Sequence, residues 1–377
     1  LRIFLLAFLL IYGGFHLLFF FRIRAVCFVG VGPSLFLAIV LVAGLAAPLI
    51  IRLAEAKGYE LFARYLAIIG YYWMAFLLLF CVVSLSVELY NFSLTAVAGK
   101  FIFNKSIFTP TPGMRFIIPA VASILLVIYG SVEARNPRTE FMVIHSTKIP
   151  RKIGRIRLLQ ISDVHVGGAV GSGYVPGIIR AIRAAAPDII VSTGDLVDGR
   201  GAYVKNAARM FREVTPRWGK FAVTGNHEFY LGVGKALNFM DEAGFVPLRN
   251  GVATIAGVVD LVGVDDPGGI MSGIGGVSDR AALAEAGRGR FTILLKHRPI
   301  VEKNAIPFFD LQLSGHTHGG QLFPFQIFTK LAFPYFSGDY RLSPGVLLHV
   351  NRGAGVWGPP VRLLAPPEIT VIDLVSG

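Results

Sequence analysis

The chain has 377 residues, 54% hydrophobic and 16% charged, with a mean hydropathy of +0.62. This excludes a disordered chain, which is poor in apolar residues and rich in charge, and two cysteines, Cys27 and Cys81, exclude a disulfide framework. A net charge of +13, from 36 Lys+Arg against 23 Asp+Glu, favours nucleic acid, phospholipid headgroups or phosphorylated metabolites as partners without choosing among them.

The first third of the chain is predicted to cross a membrane four times. Ile3–Phe21, Ala25–Ile51, Tyr65–Val87 and Phe116–Val132 contain no Asp, Glu, Lys or Arg. About 20 apolar residues span a bilayer as a helix, with a range of roughly 17–25. Three runs meet that comfortably, and Phe116–Val132 sits at the lower limit. The first run lacks the basic region and small-residue cleavage site of a signal peptide. The sequence opens on Leu1 rather than Met, as expected of a missing or non-standard start. Four spans put both termini on one side. That side carries Arg2, Arg52, Lys57, Arg64, Arg135, Arg138, Lys148, Arg151 and Lys152, against Arg22, Arg24, Lys100, Lys105 and Arg115 on the other. Basic loops stay cytoplasmic, so the termini are expected inside. Only His16 is ionisable within a run, with Glu88 and Glu133 at span ends. The spans therefore read as an anchor rather than an ion or substrate path.

Residues 1–134 are thus expected to form a four-helix transmembrane anchor, and 135–156 a basic juxtamembrane linker. A further domain is expected over 157–377. There, short apolar runs alternate with helical patterns. Arg155–Ser162, Ile189–Thr193, Lys220–Thr224, Thr292–Lys296 and Leu311–Ser314 read as buried strands. Gly177–Ala186, Tyr203–Val214 and Gly234–Ala243 read as helices, which together imply a layered α/β domain. Gly251–Asp265 reads as paired strands turning at Ala256-Gly257, and the aromatic, Pro-rich Phe323–Pro334 as a loop.

Each of the five strands runs into potential metal ligands: Asp163-Val164-His165, Gly194-Asp195, Gly225-Asn226-His227-Glu228, His297 and Gly315-His316-Thr317-His318. In open α/β sheets, ligands bind beyond the carboxyl ends of strands, so these groups are expected at one edge. Side chains two apart in extended chain point the same way, which suits Asp-x-His and His-x-His. Gly194, Gly225 and Gly315 are expected to let the backbone turn sharply. A lone histidine is most often a satisfied core or surface residue, and His145 and His349 are read so. Five of eight histidines at strand ends, with two aspartates and an asparagine, point to a metal centre.

In this order, D-x-H, G-D, G-N-H-E, a lone His and G-H-T-H resemble the calcineurin-like metallophosphoesterase family over roughly Arg157–Gly377. The resemblance implies a β-sandwich flanked by helices and two divalent transition metals: Mn, Fe or Zn, with Mn favoured. Asp163, His165, Asp195 and His318 would hold one. Asp195, Asn226, His297 and His316 would hold the other, with Asp195 bridging. His227 would stabilise phosphoryl charge or protonate the leaving oxygen. Glu228 would orient it or act as an exposed cap, and Asp198 is read as a turn or cap residue. The G-H-T-H-G-G-Q-L-F-P stretch resembles a bacterial membrane-associated subgroup that includes a UDP-2,3-diacylglucosamine pyrophosphatase of lipid A synthesis. The expected function is therefore hydrolysis of a phosphoric ester or pyrophosphate bond in a phosphorylated, lipid-linked small molecule. The expected location is the cytoplasmic face of a bacterial inner membrane. Another phospholipid or nucleotide is the alternative substrate, and a non-catalytic membrane scaffold the alternative class. No DNA-binding motif is present, and no nucleic-acid partner is expected.

Overall fold

Four long apolar helices open the chain: α1 (Arg2–Cys27), α2 (Val31–Ala56), α3 (Glu60–Ala98) and α4 (Met114–Glu133). They belong to a computed structural model that describes residues 2–27, 30–98, 108–167, 173–199, 201–271, 276–287 and 289–377. Each helix contains one apolar run or most of it, and each is long and apolar enough to cross a membrane. The 39 residues of α3 extend about 58 Å at 1.5 Å per residue, well beyond the ~30 Å hydrocarbon core. Tyr12, Phe19, Leu41, Leu77 and Phe80 form the buried centre of this helical unit. His16 is satisfied inside it: Trp73 Nε1 donates to its Nε2 at 3.1 Å, and its Nδ1 lies 2.8 Å from the Tyr12 carbonyl. Glu88 pairs with Arg22 and with Arg115. Lys100 and Lys105, two of the basic residues weighed for orientation, lie outside the described residues.

A second compact unit comprises Val132–Gly358 and Arg362–Gly377. Its strands are β1 (Arg138–Ser146), β2 (Arg155–Ile161), β3 (Ile189–Ser192), β4 (Lys220–Ala222), β5 (Val246–Pro247), β6 (Gly251–Ile255), β7 (Val259–Val264), β8 (Phe291–Lys296), β9 (Leu311–Ser314), β10 (Gly338–Ser343), β11 (Val346–Val350) and β12 (Glu368–Ser376). Its helices are α5 (Val175–Ala185), α6 (Ala202–Arg212), α7 (Asn226–Leu231), α8 (Val233–Glu242), α9 (Gly268–Met271), α10 (Asp279–Ala282) and α11 (Phe325–Ala332). One six-stranded sheet has the order β1-β12-β2-β3-β4-β5, the other β10-β11-β9-β8-β7-β6. The strands that carry the site run parallel, β2 to β3 to β4 in the first sheet and β8 to β9 in the second.

The alternation of side chains builds the layers. Ile156 and Leu158 of β2 and Ile189 and Val191 of β3 share a core with Leu261, Ile293, Leu295, Leu311 and Leu313 of the other sheet. Leu159, Ile161 and Ile190 face the opposite way, onto Ile178, Ile182, Phe211 and Phe239 of α5, α6 and α8. Val262 and Leu294 pack with Ala282 beside α10 on the far side of the second sheet. The result is the expected sandwich of two sheets with helices outside. The hairpin of β6 and β7 turns at Ala256-Gly257 as read from sequence, both residues at positive φ.

Half of the stretch expected to be a juxtamembrane linker is instead sheet. β1 pairs in parallel with β12 along all nine of its residues. Met142 and Ile144 lie against the inter-sheet core, while Glu140 faces out and binds Arg352. An edge strand buried on one face needs apolar residues only at alternate positions, and the charges between them read as linker. Phe323–Pro334, expected to be a loop, contains α11.

Candidate metal centre

Beyond the carboxyl ends of β2, β3, β4, β8 and β9, hydrogen bonds tie the two sheets together. Gln160 Nε2 donates to Thr193 Oγ1 at 2.9 Å and to the Ser314 carbonyl at 3.0 Å. Asp163 accepts from the His316 backbone N–H. The ligand candidates leave their strands in an unusual conformation: Asp163, His165, Asp195, His316 and His318 have φ of 50°, 52°, 50°, 73° and 51°. Non-glycine residues seldom adopt this region, and each costs of order 1–2 kcal/mol there. Packing enforces it: Tyr174 Oη donates to both the Val164 and His165 carbonyls. Of the three glycines expected to permit sharp turns, only Gly194 has positive φ, 97°. Gly225 and Gly315 answer a need for space. A Cβ on Gly315 would collide with Ser162 Oγ and Asp163 Oδ2, and one on Gly225 with the Asp195 carboxylate.

Two side-chain clusters result, meeting at Asp195. In the first, His318 Nε2 is 3.3 Å from Asp163 Oδ1 and 3.0 Å from His165 Nε2, which is 3.9 Å from Asp195 Oδ2. In the second, His297 Nε2 is 3.1 Å from Asp195 Oδ2 and 3.1 Å from His316 Nδ1. Asn226 opens α7, and its buried Oδ1 has no hydrogen-bond partner. All seven sequence-derived ligands thus come to one edge. His227 also offers a nitrogen within ligand range of His165 and Asp195.

The donor set fits divalent cations. Imidazole nitrogens face each other at 3.0 and 3.1 Å, an arrangement that needs a proton or a cation between them, and a buried amide oxygen is left orphaned. The outer nitrogens are held as metal-bound histidines require: His297 Nδ1 sits 2.9 Å from the Thr193 carbonyl, and His165 Nδ1 2.8 Å from Asp198 Oδ2. Burial keeps His316 neutral, pushed down to about 3, and holds His318 well below the ordinary imidazole range. Burial opposes charge on His165 and His297 as well. In the metal-free cluster, however, Asp198, Asp195 and Asp163 carry His165 up to about 9, and Asp195 and Asp163 carry His297 up to about 10. These protons stand where cations would neutralise the carboxylates.

Residues 156–320 match the family model of the calcineurin-like phosphoesterases. An uncharacterized metallophosphoesterase of Aquifex aeolicus is 38% identical over 255 residues, spanning 67% of this chain and 97% of the relative. The chain belongs to the calcineurin-like metallophosphoesterases. It is a phosphoesterase hydrolase. An uncharacterized metallophosphoesterase of Campylobacter jejuni is 29% identical over 263 residues, 69% of each chain. A transmembrane protein with metallophosphoesterase domain of Danio rerio is 32% identical over 272 residues, 68% of this chain and 62% of the relative. With its four apolar helices, this metallophosphoesterase is membrane-associated.

Around the candidate ligands of this metallophosphoesterase stand groups that sequence reading places differently or misses. Asp198, read as a turn residue, reaches two imidazoles. Its Oδ2 holds His165 Nδ1, and its Oδ1 lies 3.0 Å from His227 Nδ1, off the line of a good hydrogen bond. Its spacing three residues after Asp195, inside a Gly-Asp-x-x-Asp-Gly run, was the available signal. Glu228 does not orient His227; it caps the start of α7 at the Gly225 N–H, but fully buried rather than exposed. It accepts the backbone N–H groups of Asp195, Leu196 and Gly225, fixing the turns after β3 and β4. Burial and Asp195 push its carboxyl up to about 7. Arg362, also fully buried, donates to the carbonyls of His318, Arg352, Gly353, Gly355 and Ala365. Nothing in its local sequence marks it. Asp266 and Arg298 pair with each other, as do Asp265 and Arg249. Arg352 is held by Glu140 and Glu368. His349 is buried between Asp339 and Glu368, a satisfied core histidine as expected.

Proposed function

We propose that this metallophosphoesterase hydrolyses a phosphoric ester or anhydride bond in a lipid-linked substrate at the cytoplasmic face of a bacterial inner membrane. UDP-2,3-diacylglucosamine is the favoured substrate, since it joins a phosphoanhydride to two acyl chains. The observation that carries the hydrolase reading is the convergence of seven metal donors on Asp195 and its neighbours. Asp163, His165, Asp195 and His318 would hold one divalent cation, and Asp195, Asn226, His297 and His316 a second. Manganese is favoured over iron and zinc. Bound there, two cations would supply Lewis-acid charge against the attacking and leaving oxygens of an in-line displacement.

The chain's own groups do the rest. His227, 17% exposed at the side chain, is the imidazole of the site that these two ligand sets leave unused, and it donates a proton to the leaving oxygen. Asp198 Oδ1 lies 3.0 Å from its Nδ1, which leaves Nε2 for that transfer. Tyr230 and Trp357 flank it, with ring centroids at 5.3 and 6.2 Å. The four spans and the exposed aromatic residues beside the site support a lipid-linked substrate. Another phospholipid or a nucleotide remains the runner-up within the class.

The test is a turnover panel on metal-reconstituted protein, comparing UDP-2,3-diacylglucosamine, bis-p-nitrophenyl phosphate and phosphomonoesters. Hydrolysis of the diester without the diacyl substrate would move the assignment to the runner-up. Asp195→Asn should lose both metals by mass spectrometry together with all turnover. Two metals retained in an inactive variant would remove its bridging role. Digestion of the catalytic unit by protease added outside sealed spheroplasts would overturn the cytoplasmic placement.

A further inference from the structure

α11 is turned inside out relative to an ordinary surface helix. Such helices lay their apolar stripe on the core. Here no residue of the helix is buried. Phe325, Ile327, Phe328 and Leu331 are 50%, 52%, 61% and 82% exposed. The inward contact is polar instead, with Gln326 Nε2 donating to the Leu363 carbonyl at 2.7 Å. The apolar exposure continues across the neighbouring segment, where Leu364 is 76% and Trp357 57% exposed. This ledge borders the catalytic edge. The Trp357 ring stands against His227, and Phe333, one residue beyond α11, stands edge-on to His316 at 5.3 Å.

Large apolar side chains exposed together in this way mark an interaction site, and a bilayer is the occupant that the chain itself supplies. Only residues 134–137 separate α4 from β1, a tether of at most about 14 Å fully extended. α11 carries no acid, and its single charge is Lys330, in keeping with an anionic lipid surface.

We propose that α11, with Leu364 and Trp357, is an interfacial ledge that sinks into the boundary between headgroups and acyl chains and presents the metal centre to lipid-borne phosphoryl groups. The inference rests on the reading of a lipid-linked substrate. In its place in the fold, the ledge follows directly from the loop bearing His316 and His318, so membrane contact and metal ligation share one short segment.

The test uses the full chain with Cys27 and Cys81 replaced by serine. Leu331→Cys, and separately Phe328→Cys, carries a nitrobenzoxadiazole label in nanodiscs of phosphatidylcholine and phosphatidylglycerol, with and without doxyl-labelled lipid. Lys235→Cys on α8, exposed, is the reference. Doxyl quenching at both α11 positions should exceed the reference by about twofold or more, with a blue-shifted emission. Quenching equal to the reference would overturn the ledge. A blue shift without doxyl quenching, accompanied by depolarisation from energy transfer between labels, would overturn it in favour of a second copy of the chain. Quenching needs no turnover, so the two readings fail separately. Quenched labels on a protein inert toward UDP-2,3-diacylglucosamine would remove the substrate alone, and turnover without quenching would remove the ledge alone.

Discussion

Asp198 faces two imidazoles with different tasks, and that sets its expected phenotype. Its Oδ2 fixes the orientation of the candidate ligand His165, while its Oδ1 faces His227. Carboxylates behind metal-bound histidines are worth roughly 10–100-fold in metal affinity. Asp198→Asn should therefore weaken loading of the cluster of Asp163, His165 and His318 by about that factor in a metal titration, with Asp195, His297 and His316 less affected. Equal weakening of both would place Asp198 in the general scaffold. His227→Ala should act differently. Metal content should stay near wild type, and turnover should fall by about 10²–10⁴-fold, as for loss of a general acid. The loss should be smaller for nitrophenyl esters, whose leaving group needs no proton, than for alkyl esters, with UMP as leaving group nearer the nitrophenyl case. An equal loss on all three would leave His227 as an electrostatic stabiliser only, and a loss of metal would make it a ligand.

At the scale of elements, legibility followed burial. β2, β3, β8 and β9 are mostly buried on both faces, so each reads as a short run dominated by Ile, Leu, Val or Phe, and the Asp or His that follows it stands out as a candidate ligand. β1 is half-exposed and written Arg-Thr-Glu-Phe-Met-Val-Ile-His-Ser, so its charges mask its period. β12 was missed though well buried, because no ligand follows it. α11 hid because its amphipathic pattern faces the wrong way between prolines. The five ligand-bearing turns were legible, but the groups that brace them were not. Glu228 and Arg362 act on backbone atoms distant in sequence, and no local spacing encodes that. The place of β1 yields a truncation test. A chain beginning at Arg135 keeps the strand and should fold as a soluble unit. One beginning at Arg151 loses the packing of Met142 and Ile144, at a cost of about 3 kcal/mol or more. Its melting temperature should drop by roughly 6–12 °C for a domain of this size. Equal melting temperatures would show that β1 contributes nothing to the sheet.

For the molecule as a whole, the metal centre couples composition to pH. In the metal-free protein, His165 and His297 hold protons up to about 9 and about 10, and entering cations must displace them. Loading should therefore tighten as pH rises and weaken as it falls, by about tenfold per pH unit for each proton displaced below that range. Calorimetric titration in buffers of differing ionisation heat should record proton release. Loading indifferent to pH between 6 and 8 would mean that the imidazoles are already neutral without metal. The pairing of β1 with β12 has a consequence in time. β1 leaves the ribosome before any other strand of its sheet, yet its partner begins 230 residues later, at Glu368. At about 5–20 residues per second, the wait is on the order of 10–50 s. Throughout it Met142 and Ile144 have no core to enter, and a whole strand edge stands open. The interval is one in which a holding chaperone, or a mispaired strand from a neighbouring nascent chain, has its opportunity.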